Sequence, residues 1–340
     1  MKATILLAIV CIATVMARQP NSYEWEQYKR QHGKVYEAPE EDARRFSLFL
    51  ASRELIREHN SNERASYKLG LNHMADWSHE ERVLLKGLGH DRIRSQKKHA
   101  EPSTDHQFLQ GLLASPHPPP AEFDWRKVPN RVGPVRDQGR CAGASFAFAT
   151  TGVLEGQQVV RNFTNELVTL SEQDLLECSV SNEQSCDEGG LMSDALGDIA
   201  KMGGIESAKD YPYTGLDDTK CEFNKSKVVM TVSGSMDFPN WWRVDDVLKG
   251  SVSSFGPIAI GLDACPGFIH YKSGIFNDPS CVHHLNYGAL VVGYGQDPVE
   301  GLYWIVKTSW SEKWGEKGYA KVKHGVCQIG ALSTIPTFDQ

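Results

Sequence analysis

The sequence predicts an α+β protein, a helical lobe followed by a β lobe, with a separate helical segment ahead of both. Three observations predict it. In the first part Phe46, Phe49, Leu50 and Ile56 recur at near-helical spacing with charges between them. After about residue 145 the pattern is helical again, whereas the last third carries short β-branched and aromatic runs bounded by glycine. Helices first and strands later argue for two lobes rather than an alternating α/β sheet. No internal repeat is visible.

The elements follow in order. Residues 1–17 read as a signal peptide: Lys2 is the charged start, Ala3 to Met16 is largely apolar, and Val15-Met16-Ala17 fits a small-residue cleavage pattern. The run is too short to span a bilayer comfortably, and no later run resembles a membrane span. This implies the secretory route, with a secreted, extracellular or lysosomal destination. Residues 18–83 form a helical leading segment, an amphipathic helix pair. Residues 84–120 form a Pro/Ser/His-rich connector ending Ser115-Pro-His-Pro-Pro-Pro120, with a basic run, Arg92 to Lys98, that is a possible processing site. Residues 121–340 form the main domain. There the spacing predicts a long helix from Ser145 to Arg161. Ser171-Glu-Gln-Asp174 predicts a second helix opened by a capping box. Strands are expected over 257–263, 289–294 and 302–307.

Composition excludes some classes of function. The 340 residues carry a formal net charge of -7, without the concentrated basic face that nucleic acid requires. Of eight cysteines, loss of Cys11 with the leader leaves seven, so at least one is unpaired or bridges two chains. An oxidising compartment makes disulfides plausible. Asn162-Phe-Thr and Asn224-Lys-Ser are sequons, making Asn162 and Asn224 candidate glycosylation sites.

Three distant segments carry the chemistry. They are Asp137-Gln-Gly-Arg-Cys-Ala-Gly-Ala-Ser-Phe-Ala-Phe148, Leu285-Asn-Tyr-Gly-Ala-Leu-Val-Val-Gly-Tyr-Gly295 and Tyr303-Trp-Ile-Val-Lys-Thr-Ser-Trp310. Together they resemble the papain-like cysteine proteases. The leading segment, residues 18–83, resembles the inhibitory propeptide of the cathepsin L group, which implies a helical prosegment. Glu41, Arg45, Phe49, Ile56 and Asn60 match that group's interrupted motif, with Ser52 replacing an Asn, and Tyr67 to Asp76 match its second motif, with Met74 where Phe is usual. The resemblance implies the two-lobe papain-like fold, a helical lobe plus a β-barrel-like lobe, preceded by a helical inhibitory propeptide. It also implies three disulfides, Cys141–Cys186, Cys178–Cys221 and Cys281–Cys327, with Cys265 left as a free thiol. Neither a cofactor nor a metal is implied.

In that family the three segments supply a cysteine nucleophile, a histidine base and an asparagine that orients it. The matching positions here are Ser145, Tyr287 and Thr308. Counting six from Gln138 lands on Ala144 instead, because one extra residue lies between Cys141 and the helix; a second follows Cys186. Cys141 as nucleophile would leave Cys186 without a partner and stand ahead of the helix N-terminus that lowers a thiol pKa. A serine hydroxyl needs an adjacent base, and a phenol titrating near ~10 is a poor one. If His283 lies in a strand, it is about 13 Å from the Tyr287 position, four residues at ~3.3 Å each.

What remains is the groove. Gln138 matches the oxyanion donor, Gly189 and Gly190 match glycines that let a peptide backbone approach, and Trp310 would shield the site. The expectation is a pseudopeptidase whose cleft takes its own prosegment, an extended peptide or protein segment, or a cystatin-like inhibitor, by strand addition. The alternatives are a functional papain-family endopeptidase, serine-type if Ser145 attacks, and a structural or storage protein.

Overall fold

A computed structural model describes residues 20–84, 87–88, 118–182, 185–216, 220–238, 244–282 and 284–339. The leader expected over 1–17, the basic run Arg92 to Lys98 and His283 lie outside the described residues.

The prosegment opens with α1 (Pro20–His32) and α2 (Pro39–Asn60), then β1 (Tyr67–Leu69) and α3 (His79–Leu84). Pro39 starts α2 because its fixed φ suits the first helical turn, and Glu40, Glu41 and Asp42 sit at the positive end of the helix dipole. Trp25, Tyr28, Phe49 and Ala75 form a small core of their own. The motif residues close it: Arg45 bonds Glu41 and Glu81, and Asn60 bonds both the carbonyl and the N–H of Leu69. Ser52 accepts from Arg82 and donates to the Ala75 carbonyl, so the replaced Asn position still ties α2 to the following loop.

In the main domain β2 (Phe123–Asp124) is followed by α4 (Ser145–Glu155), α5 (Glu172–Cys178), α6 (Ser185–Glu188) and α7 (Met192–Met202). Strands β3 (Ile205–Glu206), β4 (Val228–Met230) and β5 (Gly234–Asp237) lead to α8 (Val244–Ser254). Then come β6 (Ile258–Leu262), α9 (Pro266–Ile269), β7 (Tyr271–Phe276), β8 (Tyr287–Asp297), β9 (Gly301–Lys307), β10 (Tyr319–Lys323) and β11 (Ser333–Thr337). The main sheet runs β1-β7-β10-β9-β8-β6-β11-β5, with β2 also on β8. Its first strand belongs to the prosegment: Tyr67 pairs with Gly274 antiparallel, and Ile56, Tyr67, Leu69 and Met74 join the apolar core of the β lobe. Docking is thus β-augmentation plus apolar burial. Among the described residues no helix is long and apolar enough to cross a membrane.

Two local expectations change. Helix α4 stops at Glu155 rather than Arg161. The backbone at Gly156 runs so close to Pro257 and the Arg131 carbonyl that an added Cβ would lie 2.8 Å from the proline ring, and Asn162 takes a left-handed φ of 60°. Ser171 does cap α5, accepting from the Asp174 N–H at 3.0 Å. The return half of the capping box is absent, because the Asp174 carboxylate accepts from the Glu206 N–H and the Ser171 N–H donates to the Glu206 carbonyl. The box has become a helix-to-strand tie.

Two of the three expected disulfides are present, Cys141–Cys186 and Cys178–Cys221. The third is corrected: Cys265 is bonded to Cys281, and the free thiol is the buried Cys327. The turn from β6 into α9 carries Cys265 to the Cys281 loop. Backbone bonds from Cys327 to Cys281 and from Asp263 to Cys327 hold the third sulfur beside them. Spacing cannot choose among three sulfurs brought to one place.

Candidate active site

Helix α4 runs between the two lobes and is buried on nearly every face. Its first residue is Ser145, preceded by a 3-10 turn, Ala142–Ala144, directly after Cys141. The four-residue helix α6 carries Cys186, and the Cys141–Cys186 bridge joins it to the residue just ahead of that turn. That bond also removes Cys141 as a nucleophile. Ala144 ends the 3-10 turn with no chemistry on its side chain, so Ser145 is the residue presented to β8.

Ser145 is fully buried, and its Oγ accepts from the Gly288 N–H at 3.0 Å. The lobes meet tightly there: a Cβ on Gly288 would lie 2.9 Å from the Ser145 carbonyl oxygen. Among the described residues no imidazole or carboxylate bonds the Ser145 hydroxyl. His284, near the base position in sequence, is exposed before β8 begins.

The Tyr287 hydroxyl is committed elsewhere. Ser309 Oγ donates to Gln138 Oε1 at 2.7 Å, so the 2.8 Å contact between Tyr287 and Ser309 carries the phenol proton to Ser309. The Ser309 N–H donates back to the Tyr287 oxygen at 2.8 Å. Burial pushes the phenol's pKa well up, against the hydrogen bond from the Ser309 N–H that favours the phenolate. Its ring packs on Trp310 at 4.4 Å, and Trp310 meets Trp314 edge-on at 5.0 Å. Thr308 donates to the Gly318 carbonyl at 3.1 Å.

Gln138, expected as the oxyanion donor, lies beside the start of the helix with its amide engaged by the backbone. Its Nε2 donates to the Ala142 carbonyl at 2.9 Å and reaches the Cys141 carbonyl at 3.3 Å. An amide engaged by two backbone carbonyls is not aimed at a developing oxyanion, the geometry on which such stabilisation depends. Ser309, which sequence reasoning passed over, links Gln138 to Tyr287; its place between Thr308 and Trp310 in one motif was the available signal.

The cleft is occupied by the chain itself. The Gly190 N–H donates to the Gly87 carbonyl at 3.0 Å, and the Leu88 N–H donates to the Asn286 carbonyl at 3.2 Å, with Leu88 and Gly190 bridged in parallel. Gly189 has φ 72°, and a Cβ there would overlap Gly87. A Cβ on Gly87 would lie 2.6 Å from Ser145 Oγ, so the prosegment crosses directly over the helix start. Within the segment expected to be connector from residue 84, Gly87 and Leu88 are therefore paired with the main domain. Asn286, also missed, fixes this wall through Asp263 and the Ala264 N–H.

Behind Thr308 and Ser309 lies a cavity of about 20 Å³, lined in part by Arg136, Phe148 and Lys307. It has room for about one water and none for a substrate side chain. Buried charges surround it: Arg136 bonds Glu155 and Glu172, burial raises Glu172 to about 7, and burial lowers Lys307.

Comparison with known proteins matches this geometry. Residues 119–337 fit the papain family cysteine protease model, and residues 25–82 fit the cathepsin propeptide inhibitor domain. "Cathepsin L" of Sarcophaga peregrina is 36% identical over 353 residues, covering 98% of this chain and 99% of that protein. "Procathepsin L" of Mus musculus is 34% identical over 353 residues, covering 99% of each. Digestive procathepsin L 3 from the larval midgut of Tenebrio molitor superposes with a TM-score of 0.80 at 34% identity, over 94% of this chain and all of that one. The chain belongs to the papain family of cysteine proteases, as a cathepsin L-like proprotein that carries its own propeptide inhibitor domain.

Proposed function

We propose that this proprotein is a pseudopeptidase: its cleft binds an extended peptide, or a protein segment such as that of a cystatin-like inhibitor, and does not cleave it. The observation that carries this reading is the main-chain pairing of Gly87–Leu88 with Gly190 and Asn286. An extended segment is already held there by backbone groups that ask nothing of its side chains, which is how strand-addition clefts work. The replaced positions support the second half. Among the described residues no base bonds Ser145, the Tyr287 hydroxyl donates to Ser309, and the Gln138 amide is held by the Ala142 carbonyl. The leader read over 1–17 and the exposed sequons at Asn162 and Asn224 support the secretory route, with a secreted or lysosomal destination.

The competing reading, a serine-type endopeptidase, draws on Ser145 standing at a helix N-terminus. Fluorogenic peptide hydrolysis separates the two. The protein is freed of its prosegment by an added protease, repurified, and assayed beside a Ser145→Cys/Tyr287→His/Thr308→Asn variant. A silent parent that binds a cystatin-like inhibitor with nanomolar affinity by calorimetry meets the proposal. Parent activity abolished by Ser145→Ala defeats it, as does the absence of heat with both inhibitor and extended peptides at micromolar protein.

A further inference from the structure

Three cysteines meet at one point under the prosegment. Cys265 and Cys281 form a disulfide, and the Cys327 Sγ lies 2.9 Å from the Cys281 Sγ. All three sulfurs fall within 4.8 Å of one another, and the residues are 5%, 0% and 0% exposed. Backbone bonds fix the group, from the Cys327 N–H to the Cys281 carbonyl at 2.8 Å and from the Asp263 N–H to the Cys327 carbonyl at 2.9 Å. A thiol in contact with a disulfide sulfur is the reactant pair of thiol–disulfide exchange.

We propose that Cys281 is a shared partner and that this chain exists as two disulfide isomers. The Cys327 thiolate attacks the Cys281 sulfur, the Cys265–Cys281 bond breaks, a Cys281–Cys327 bond forms, and Cys265 leaves as a thiolate that takes up the proton Cys327 gave away. One disulfide and one thiol stand on each side, so neither oxidant nor reductant is consumed. Burial, with Asp263 and Asp278 nearby, pushes the Cys327 thiol well above its ordinary value, which keeps the thiolate scarce and the exchange slow in the closed fold.

The two isomers support the prosegment differently. Cys265 immediately precedes α9, whose Ile269 carbonyl accepts from Asn72 at 2.8 Å. The next carbonyl, of His270, accepts from the Gly70 N–H at 2.8 Å. With Cys265 bonded, that docking turn is stapled to the Cys281 loop. With Cys281 bonded to Cys327, the staple moves to the C-terminal loop and the turn is held by non-covalent contacts. Linkage is reciprocal, so a docked prosegment favours Cys265–Cys281, and its removal shifts the balance to Cys281–Cys327.

The test uses the full-length chain, incubated overnight at about pH 8, near a thiol's ordinary pKa, with a trace of reduced glutathione to open the exchange. Samples are quenched in acid, alkylated and mapped by mass spectrometry of the cross-linked peptides. Both Cys265–Cys281 and Cys281–Cys327 peptides are expected in the wild-type protein. Cys265→Ser should leave only the second pairing and Cys327→Ser only the first. A single pairing in the wild type before and after incubation overturns the proposal, and that result stands whether or not either variant folds. Clipping the prosegment should raise the Cys281–Cys327 fraction several-fold; an unchanged ratio overturns the coupling to docking. The outcome is independent of whether the cleft cleaves peptides.

Discussion

Tyr287 is a buried polar residue whose every polar contact is structural. Its ring packs on Trp310 and its hydroxyl closes a chain through Ser309 to Gln138. Tyr287→Phe keeps the ring and strips the Ser309 N–H of its partner. Leaving one buried donor unpaired costs about 1–3 kcal/mol, and calorimetry should show the unfolding midpoint falling by a few degrees. An unchanged midpoint would mean the network carries no stability. Gly87 is the second informative residue, since any Cβ would press on Ser145 Oγ. Gly87→Ala is expected to lift Gly87–Leu88 off Gly190 and speed proteolytic nicking near that point, without lowering the midpoint of the main domain. Equal nicking rates in the two proteins would show that the strand tolerates a side chain there.

At the scale of elements, α5 depends on a single hydroxyl. Ser171 Oγ accepts from the Asp174 N–H and donates to the Tyr211 carbonyl at 2.7 Å, so it caps the helix and anchors the following loop. Ser171→Ala removes both bonds, and cap loss alone typically costs about 1 kcal/mol. Denaturant unfolding should show a lower midpoint with an unchanged slope; a neutral substitution would assign the helix start to packing alone. The prosegment illustrates legibility at this scale. Its helices were readable because Phe49 and Ile56 repeat locally. Its docking strand was readable only through a matched motif, because the pairing of Tyr67 with Gly274 spans more of the chain than any window covers.

Across the whole molecule, titration pulls the two parts in opposite directions. Burial raises Glu172 and Asp174 to about 7, above the ordinary carboxyl range. A carboxyl raised on folding stabilises the fold below its ordinary pKa and loses that contribution as pH climbs through the raised value. The main domain should therefore melt higher as pH falls from about 7 toward the ordinary carboxyl range near 4. Histidines at the prosegment act in reverse. Burial, with Arg82 adding to it, lowers His270 to about 3, and burial lowers His32 to about 4. A base depressed on docking stabilises the docked state above its ordinary pKa near 6.5, and that contribution is lost as pH falls through the depressed value. Amide exchange over residues 67–84 should thus quicken in acid while the main domain firms, and His270→Phe should blunt the change. Slower exchange of that segment in acid would contradict the assignment. Opening should still not lead to cutting: purified proprotein incubated alone at acidic pH is expected to stay full length, and concentration-independent self-processing would refute the pseudopeptidase reading.

The sequence by itself determined the order of helices and strands and the helical prosegment. Each of these follows from periodicity along the chain or from motifs at fixed offsets. Tertiary structure decided the rest. It turned the Gln138 amide onto the Ala142 carbonyl, chose Ser309 as the partner of Tyr287, laid Gly87–Leu88 over Ser145, and gave Cys281 to Cys265 rather than Cys327. These outcomes depend on which groups from distant segments come within a few ångströms. Hydrogen bonds and disulfides form by proximity in space, and spacing along the chain cannot rank partners that the fold brings equally close.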